Sequence, residues 1–527
     1  MNASLSPYAI LGIIVAYFLV LIAISFYTSR GGNDNDSFFL AGRKSPWPLV
    51  ALGMIGASLS GVTFISVPGA VGAGDVNQAF SYMQVVFGYL LGYAFIALVL
   101  LPLYYQLGLT SIYEYLKERI GRHAYKVGAF YFLLSRTIGA SFRLFLVAIV
   151  LQNFVTGPMG VPFAATVAIT IILIWLYTFQ GGIKTIVYTD TLQTVCMLLA
   201  AGLTVYYIVG ALETYVGVVF GLIRNSDYHQ MFFFEGGWTD PNNFFKQFLS
   251  GALITIVMTG LDQDMMQKNL SMPNFRDAQK NMATFSIVLI FANLLFLALG
   301  ALLYIYATNV GLEIPSASDQ LYPTVALRHL PPTAGVLFIL GLIAAAYSSA
   351  DSALTALTTS FCVDFLGMTE ELPETETTEA EQETSQAEVI ANRKRQRRYV
   401  HIGFSVLLFC VIMAFSLIGD QAVINSLFKA AGYTYGPLLG LFAFGLFTRL
   451  RVREIVRIGK FEVPALILVC VLSPILSMVV DAYSAELLRG FQFGFLILAF
   501  NGLVTFIGLV ALSDFAEIPT RENGDLS

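Results

Sequence analysis

Residues 51–74 read ALGMIGASLSGVTFISVPGAVGAG. The run is apolar and long enough to span a bilayer, which takes about 20 residues. It nevertheless holds Gly53, Gly56, Gly61, Gly69, Gly72 and Gly74, joined by Ser58, Ser60, Thr63, Ser66 and Pro68. A helix facing lipid has no use for so many weak helix formers. A helix broken near the membrane midplane does, because unwound backbone is tolerated there only beside a cavity. Carbonyls freed at such a break coordinate small cations, and half-helix N-termini face anionic groups. Close packing of helices through small residues is the competing reading.

The surrounding chain supports a membrane setting. Of its 527 residues, 57% are apolar and 12% charged, and the mean hydropathy is +0.72. Soluble domains carry about 25% charged residues, so this chain cannot wrap its apolar matter in a polar surface. A soluble enzyme and a nucleic-acid binder are excluded. Span-length apolar runs fall at about 8–28, 47–72, 78–103, 124–155, 161–180, 188–210, 247–268, 281–308, 333–366, 400–418, 420–447, 462–482 and 491–513. Thirteen continuous runs predict an all-α integral membrane protein, not a barrel of short alternating strands. The first run lacks a small-residue cleavage motif and reads as a span rather than a signal peptide. Cys196, Cys362, Cys410 and Cys470 sit inside apolar runs as packing residues, and the four histidines lack metal-ligand spacing.

Lysine and arginine set the orientation. With the N-terminus outside, twenty-one of the 29 fall in inside loops, among them Lys268, Arg276 and Lys280 after the seventh run. Only Arg224, Lys246, Arg328 and Arg489 fall outside. The expectation is N-out and C-in, in a plasma or inner membrane. Residues 369–398 combine eight glutamates with threonines and the basic run Arg393–Arg398. A stretch that buries so little apolar area is expected to be a disordered cytoplasmic loop.

Two more stretches stand out. Thr259-Gly260-Leu261-Asp262-Gln263-Asp264 interrupts the seventh run. With the second run also interrupted, this suits a five-plus-five inverted repeat whose halves each begin with a broken helix. The ninth run holds Ala344-Ala345-Ala346-Tyr347-Ser348-Ser349-Ala350-Asp351-Ser352. Ala345, Ser348, Ser349 and Ser352 share one helical face, with Asp351 flanking it. Hydroxyls plus a carboxylate suit a hard cation, and an aspartate deep in an apolar helix is expensive unless it has a function. Serines bonded to their own helix are the alternative. Arg136, Arg143 and Lys429 are intramembrane cations that need partners: Asp262 or Asp264 on one reading, an anionic solute on the other.

The sequence resembles the sodium/solute symporter family, which includes sodium/glucose, proline and sialic acid carriers. The resemblance rests on Phe38-Phe39-Leu40-Ala41-Gly42-Arg43, on Leu109-Thr110-Ser111-Ile112-Tyr113-Glu114-Tyr115-Leu116, on Gly181-Gly182-Ile183 through Thr189-Asp190, and on Gly432-Tyr433 through Pro437 and Gly440. It covers about residues 5–515 apart from the acidic loop. It implies a LeuT-type fold: a ten-helix transport core at 47–447 with broken first and sixth core helices, a peripheral helix and loop at 1–46, and two peripheral helices and a tail at 448–527. By motif position, it implies a sodium ion held by the carbonyls of Gly56, Leu59 and Ala345 and the hydroxyls of Ser348 and Ser349. A second cation site would comprise Asp190, Ser348, Asp351 and Ser352, with Asp351 standing where a serine is usual. This added carboxylate would strengthen the site or convert it to proton coupling. The implied solute site takes in Ser60, Thr63, Phe80 and Gln84, with Arg136, Arg143, Asp262, Gln263 and Lys429 as further candidates. The expected function is sodium-coupled import, by alternating access, of a small organic solute such as a sugar, sialic acid or another carboxylate. Its partners are Na+, the solute and the bilayer. The competing function is a transporter-like membrane sensor without net transport. No nucleophile–base set points to an enzyme.

Overall fold

A computed structural model describes residues 7–29, 35–73, 78–178, 182–368, 379–418, 423–453, 455–458 and 461–514. The long helices are α1 (Pro7–Ser29), α2 (Trp47–Ala70), α3 (Tyr82–Gln106), α4 (Arg122–Met159), α5 (Phe163–Thr178), α6 (Gly182–Ala211), α7 (Phe244–Gly260), α8 (Gln263–Leu270), α9 (Phe275–Asn309), α10 (Pro332–Phe365), α11 (Glu379–Ile418), α12 (Val423–Phe447), α13 (Ala465–Ala482) and α14 (Gly494–Ala511). Among the described residues, eleven helices are long and apolar enough to cross a membrane, or twelve if the bent pair α7–α8 counts as one span. The fifth predicted run forms α5, a shorter apolar helix.

Burial sorts these helices. The apolar window of α2 is 89% buried and that of α10 is 78%, against 33% for α1 and for α13. The two serine- and glycine-rich helices therefore form the centre. Helix α10 packs along α6, α2 and α4, and α2 also packs on α6 and α9. Helix α7 lies along α3, and α12 lies against α14 and α4. Exposed Leu98, Phe291, Leu417 and Ile507 belong to the apolar outer surface that lipid covers.

Two interruptions shape the centre. Within α2, Ser60 alone leaves helical geometry, at φ 51° and ψ 173°. This left-handed backbone is costly for a residue with a Cβ and is kept only where surrounding contacts enforce it. The seventh predicted run bends by 62° between α7 and α8. Helix α7 ends in a wide π turn, Ile256–Gly260. Helix α8 restarts on the side chain of Asp262, whose Oδ1 accepts from the N–H groups of Asp264 and Met265.

Two expectations need correction. The segment 369–398 is not wholly a loop, because α11 begins at Glu379 and carries the basic run. Its Glu, Ala, Gln, Lys and Arg residues are strong helix formers whatever their hydropathy. Arg397 is buried with its guanidinium 4.1 Å from the Phe38 ring centroid. Residues 369–378, the rest of that segment, lie outside the described residues, as does the tail beyond 514. Lys268 is not a loop residue either: it sits in α8 and is 1% exposed. Beyond α12, strand Ile455–Ile458 pairs antiparallel with Phe461–Pro464, and Arg451–Val452 pairs with Ser513–Asp514.

Candidate functional site

The first candidate site lies where α2 meets α6 and α10. Gly56 allows the approach: a Cβ there would collide with Thr194 Oγ1 and sit 3.1 Å from Ser348 Oγ. One turn before the break, the Ala57 carbonyl accepts from Ser349 Oγ at 3.1 Å. Leu59 and Ala345 are buried as well. Ser348 is fully buried, and its hydroxyl has no hydrogen-bond partner among the described residues. A buried hydroxyl without a partner is costly, and a dehydrated sodium ion would remove that cost. Backbone carbonyls and serine hydroxyls are the hard oxygen donors such an ion takes.

A cavity opens beside this notch on the Ser60 side. Ser58, Ser60 and Thr63 of α2 line it, with Tyr82, Tyr89 and Tyr93 of α3, Arg136 and Arg143 of α4, Thr255, Met258 and Thr259 of α7, and Asn293 of α9. Among the described residues, none that lines it is acidic. A larger cavity of about 620 Å³ shares Val67 and Tyr82 with it and runs on past Asp319 and Lys429.

The two arginines differ in their partners. Arg136 is ion-paired with Asp264, and its Nη1 lies 3.8 Å from Asp262 Oδ2. Asp262 also accepts from Tyr435 OH at 2.6 Å. Arg143 donates from Nη1 to Ser349 Oγ at 3.1 Å, while its buried Nε has no partner among the described residues. Ser349 thus accepts from a cavity arginine and donates to the broken helix, joining cavity and notch through one hydroxyl.

Of the residues assigned to the solute from sequence, Ser60, Thr63, Arg136 and Arg143 line the cavity, and the other five do not. Gln84 donates to Asn242 O at 2.8 Å and accepts from Phe233 N, pinning the 226–243 connection over α3. Phe80 joins the same connection through its N–H to Gln230 O. Gln263 bonds the backbone of Thr110 and Ile112, and Asp262 caps α8. Lys429 is not buried among apolar groups: its side chain is 61% exposed in the larger cavity, 3.4 Å from Asp481.

The second predicted cation set does come together. Asp190, Ser348, Asp351 and Ser352 are all buried. Asp351 accepts from Tyr177 OH at 2.9 Å and from Ser352 N at 2.6 Å. The Ser348 and Ser352 hydroxyls lie beside Asp190. Lys268, which the sequence reading left outside, reaches Asp190 Oδ2 at 2.7 Å. The three tyrosines of α3 were also missed. Their seven- and four-residue spacing puts them on one helix face, so the signal was present in the sequence.

Interrupted helices meeting around a cavity lined by hydroxyls and arginines define a class, the secondary transporters with discontinuous spans. The sequence pattern of the sodium:solute symporter family matches residues 38–448, and the chain belongs to that family. It is a sodium-coupled solute transporter and not an enzyme, and a non-transporting sensor is not favoured. It is 24% identical to the sodium/sialic acid symporter NanT of Aliivibrio fischeri over 82% of each chain. It is 25% identical to the human sodium/iodide cotransporter, over 83% of this chain and 65% of that one. Its fold is similar to that of a Na+-coupled sialic acid symporter solved in a substrate-bound outward-open state, with TM-score 0.76 at 18% identity over 95% of this chain and 97% of that one. That LeuT-type fold is the one expected from the sequence.

Proposed function

We propose that the protein imports a small carboxylate-bearing solute, with sialic acid the first candidate, together with sodium. The observation that carries this reading is the chain Arg143–Ser349–Ala57, which joins a cavity without acidic lining to an oxygen-rich notch. Sodium binds between the carbonyls of Gly56, Leu59 and Ala345 and the hydroxyls of Ser348 and Ser349, and it fastens the broken α2 to α10. Fixing Ser349 orients Arg143, whose free donors take the solute carboxylate; Arg136 is already held by acids. Ser58, Ser60, Thr63 and Asn293 are placed for hydroxyl groups, and the tyrosines for a ring face. Binding of the two ligands is mutually favourable because each fixes Ser349, and such coupling is reciprocal by thermodynamic necessity. Sodium entering down its gradient then draws the solute in; one charge moved across 100 mV supplies roughly 2.3 kcal/mol. The larger cavity is the outward vestibule of a protein set N-out and C-in in a plasma or inner membrane.

Uptake into proteoliposomes tests the reading. Labelled sialic acid, other sugar acids, monocarboxylates and neutral sugars are offered with an inward sodium or choline gradient. Sodium-driven accumulation of an acid, competed by other acids and not by neutral sugars, is expected. Accumulation of a neutral sugar alone would overturn the carboxylate assignment.

A further inference from the structure

The pocket that resemblance reserves for a second metal cation already contains a cation. Lys268 projects from α8 and places its ammonium 2.7 Å from Asp190 Oδ2, with both side chains at most 1% exposed. Asp351, which flanks the face of Ser348 and Ser352, is the other buried acid there, bonded to Tyr177 OH and Ser352 N. The buried cluster therefore holds an ammonium already seated on the Asp190 carboxylate. A second sodium beside Asp190 would put two cations on one buried carboxylate, which low-dielectric surroundings oppose. It would also compete with Lys268 for the Asp190 carboxylate.

We infer that Lys268 serves as the second cation of this transporter: its tethered ammonium replaces a second sodium ion at Asp190, so one sodium ion accompanies each solute. The inference rests on the sodium notch proposed above. Helix α8 is the short arm of the bent span, so the pair also ties that arm to α6.

Radioactive sodium binding to the purified protein counts the ions directly and needs no knowledge of the solute. The wild type should bind one sodium ion per chain, with a Hill slope of about 1. Lys268→Ala removes the resident charge and should bind two, with the slope rising toward about 2. Lys268→Arg keeps the charge and should bind one. Lys268→Ala should also lose thermal stability in choline chloride and regain it in sodium chloride. Two ions on the wild type, one ion on a folded Lys268→Ala, or equal Lys268→Ala stability in both salts would each overturn the inference. Failure of the symport reading itself looks different: no sodium bound, and no uptake driven by sodium.

Discussion

At the scale of single residues, Gly56 and Arg143 set the two sides of the coupling. A methyl group at Gly56 meets Thr194 Oγ1 and Ser348 Oγ at once, and Thr194 is already held by the carbonyls of Leu52 and Asp190. Gly56→Ala should therefore destabilise the protein by about 1–3 kcal/mol, as overpacked cores do, read as a lower thermal midpoint. It should also weaken sodium binding, because α2 can no longer close on α10. Arg143→Lys keeps the charge but loses the planar fork that matches a carboxylate. It should reduce affinity for the acid at least about tenfold, roughly 1.4 kcal/mol, in equilibrium binding. The gain in solute affinity from saturating sodium and the gain in sodium affinity from saturating solute should both shrink, and by the same factor, because the linkage is reciprocal. A loss of solute affinity with no change in the sodium curve would show that Ser349 does not connect the two sites.

Residue identity alone made part of this legible. The glycine, serine and proline run announced an interruption in α2, and Ser60 is where it falls. Buried arginines and aspartates announced a polar centre because lipid admits no other place for them. The spacing of Tyr82, Tyr89 and Tyr93 groups them on one face of α3 without saying that this face turns inward. Resemblance selected Phe80 and Gln84, whereas the helix presents Tyr82, Tyr89 and Tyr93 to the cavity. Lys268 was hidden for a different reason. It falls at the last position of the seventh apolar run, where a charge reads as the first residue of the following loop, yet it sits in a buried helix that continues to Leu270.

Among the elements, the bent pair α7–α8 depends on its ion pairs. Arg136 of α4 is clamped by Asp264 and Asp262 at the restart of α8. Removing one partner of a buried pair leaves the other charge uncompensated and costs about 3–5 kcal/mol. Arg136→Met should therefore lower thermal stability sharply. The double variant Arg136→Met/Asp264→Leu should recover most of that loss, because an apolar pair of similar volume replaces a buried charge pair at little net cost. Equal instability of the single and double variants would place the role of Arg136 elsewhere. The same elements explain why the acidic segment was misread: low hydropathy says that residues 379–398 do not cross the membrane, but it does not say that they are unstructured.

For the whole molecule, two enclosed helices sit inside a ring of less buried ones, with α1 and α13 each showing most of their apolar window at the surface. The sequence located nearly all of these spans because hydrocarbon imposes length and hydropathy on each one separately. It located α7–α8 as a single run because a bend leaves hydropathy unchanged. The charge asymmetry predicts N-out and C-in. In intact spheroplasts, a protease or an impermeant label should reach an epitope fused before Met1 and miss one fused after Ser527. The reverse pattern would invert the assignment of the larger cavity as the outward vestibule.

The central claim is the sodium notch between the interrupted α2 and the serines of α10, and titration of purified Ser348→Ala with sodium at fixed labelled solute tests it most directly. The half-saturating sodium concentration should rise at least about tenfold, roughly 1.4 kcal/mol, with solute affinity restored when sodium is saturating. A sodium curve superimposable on that of the wild type would contradict the account.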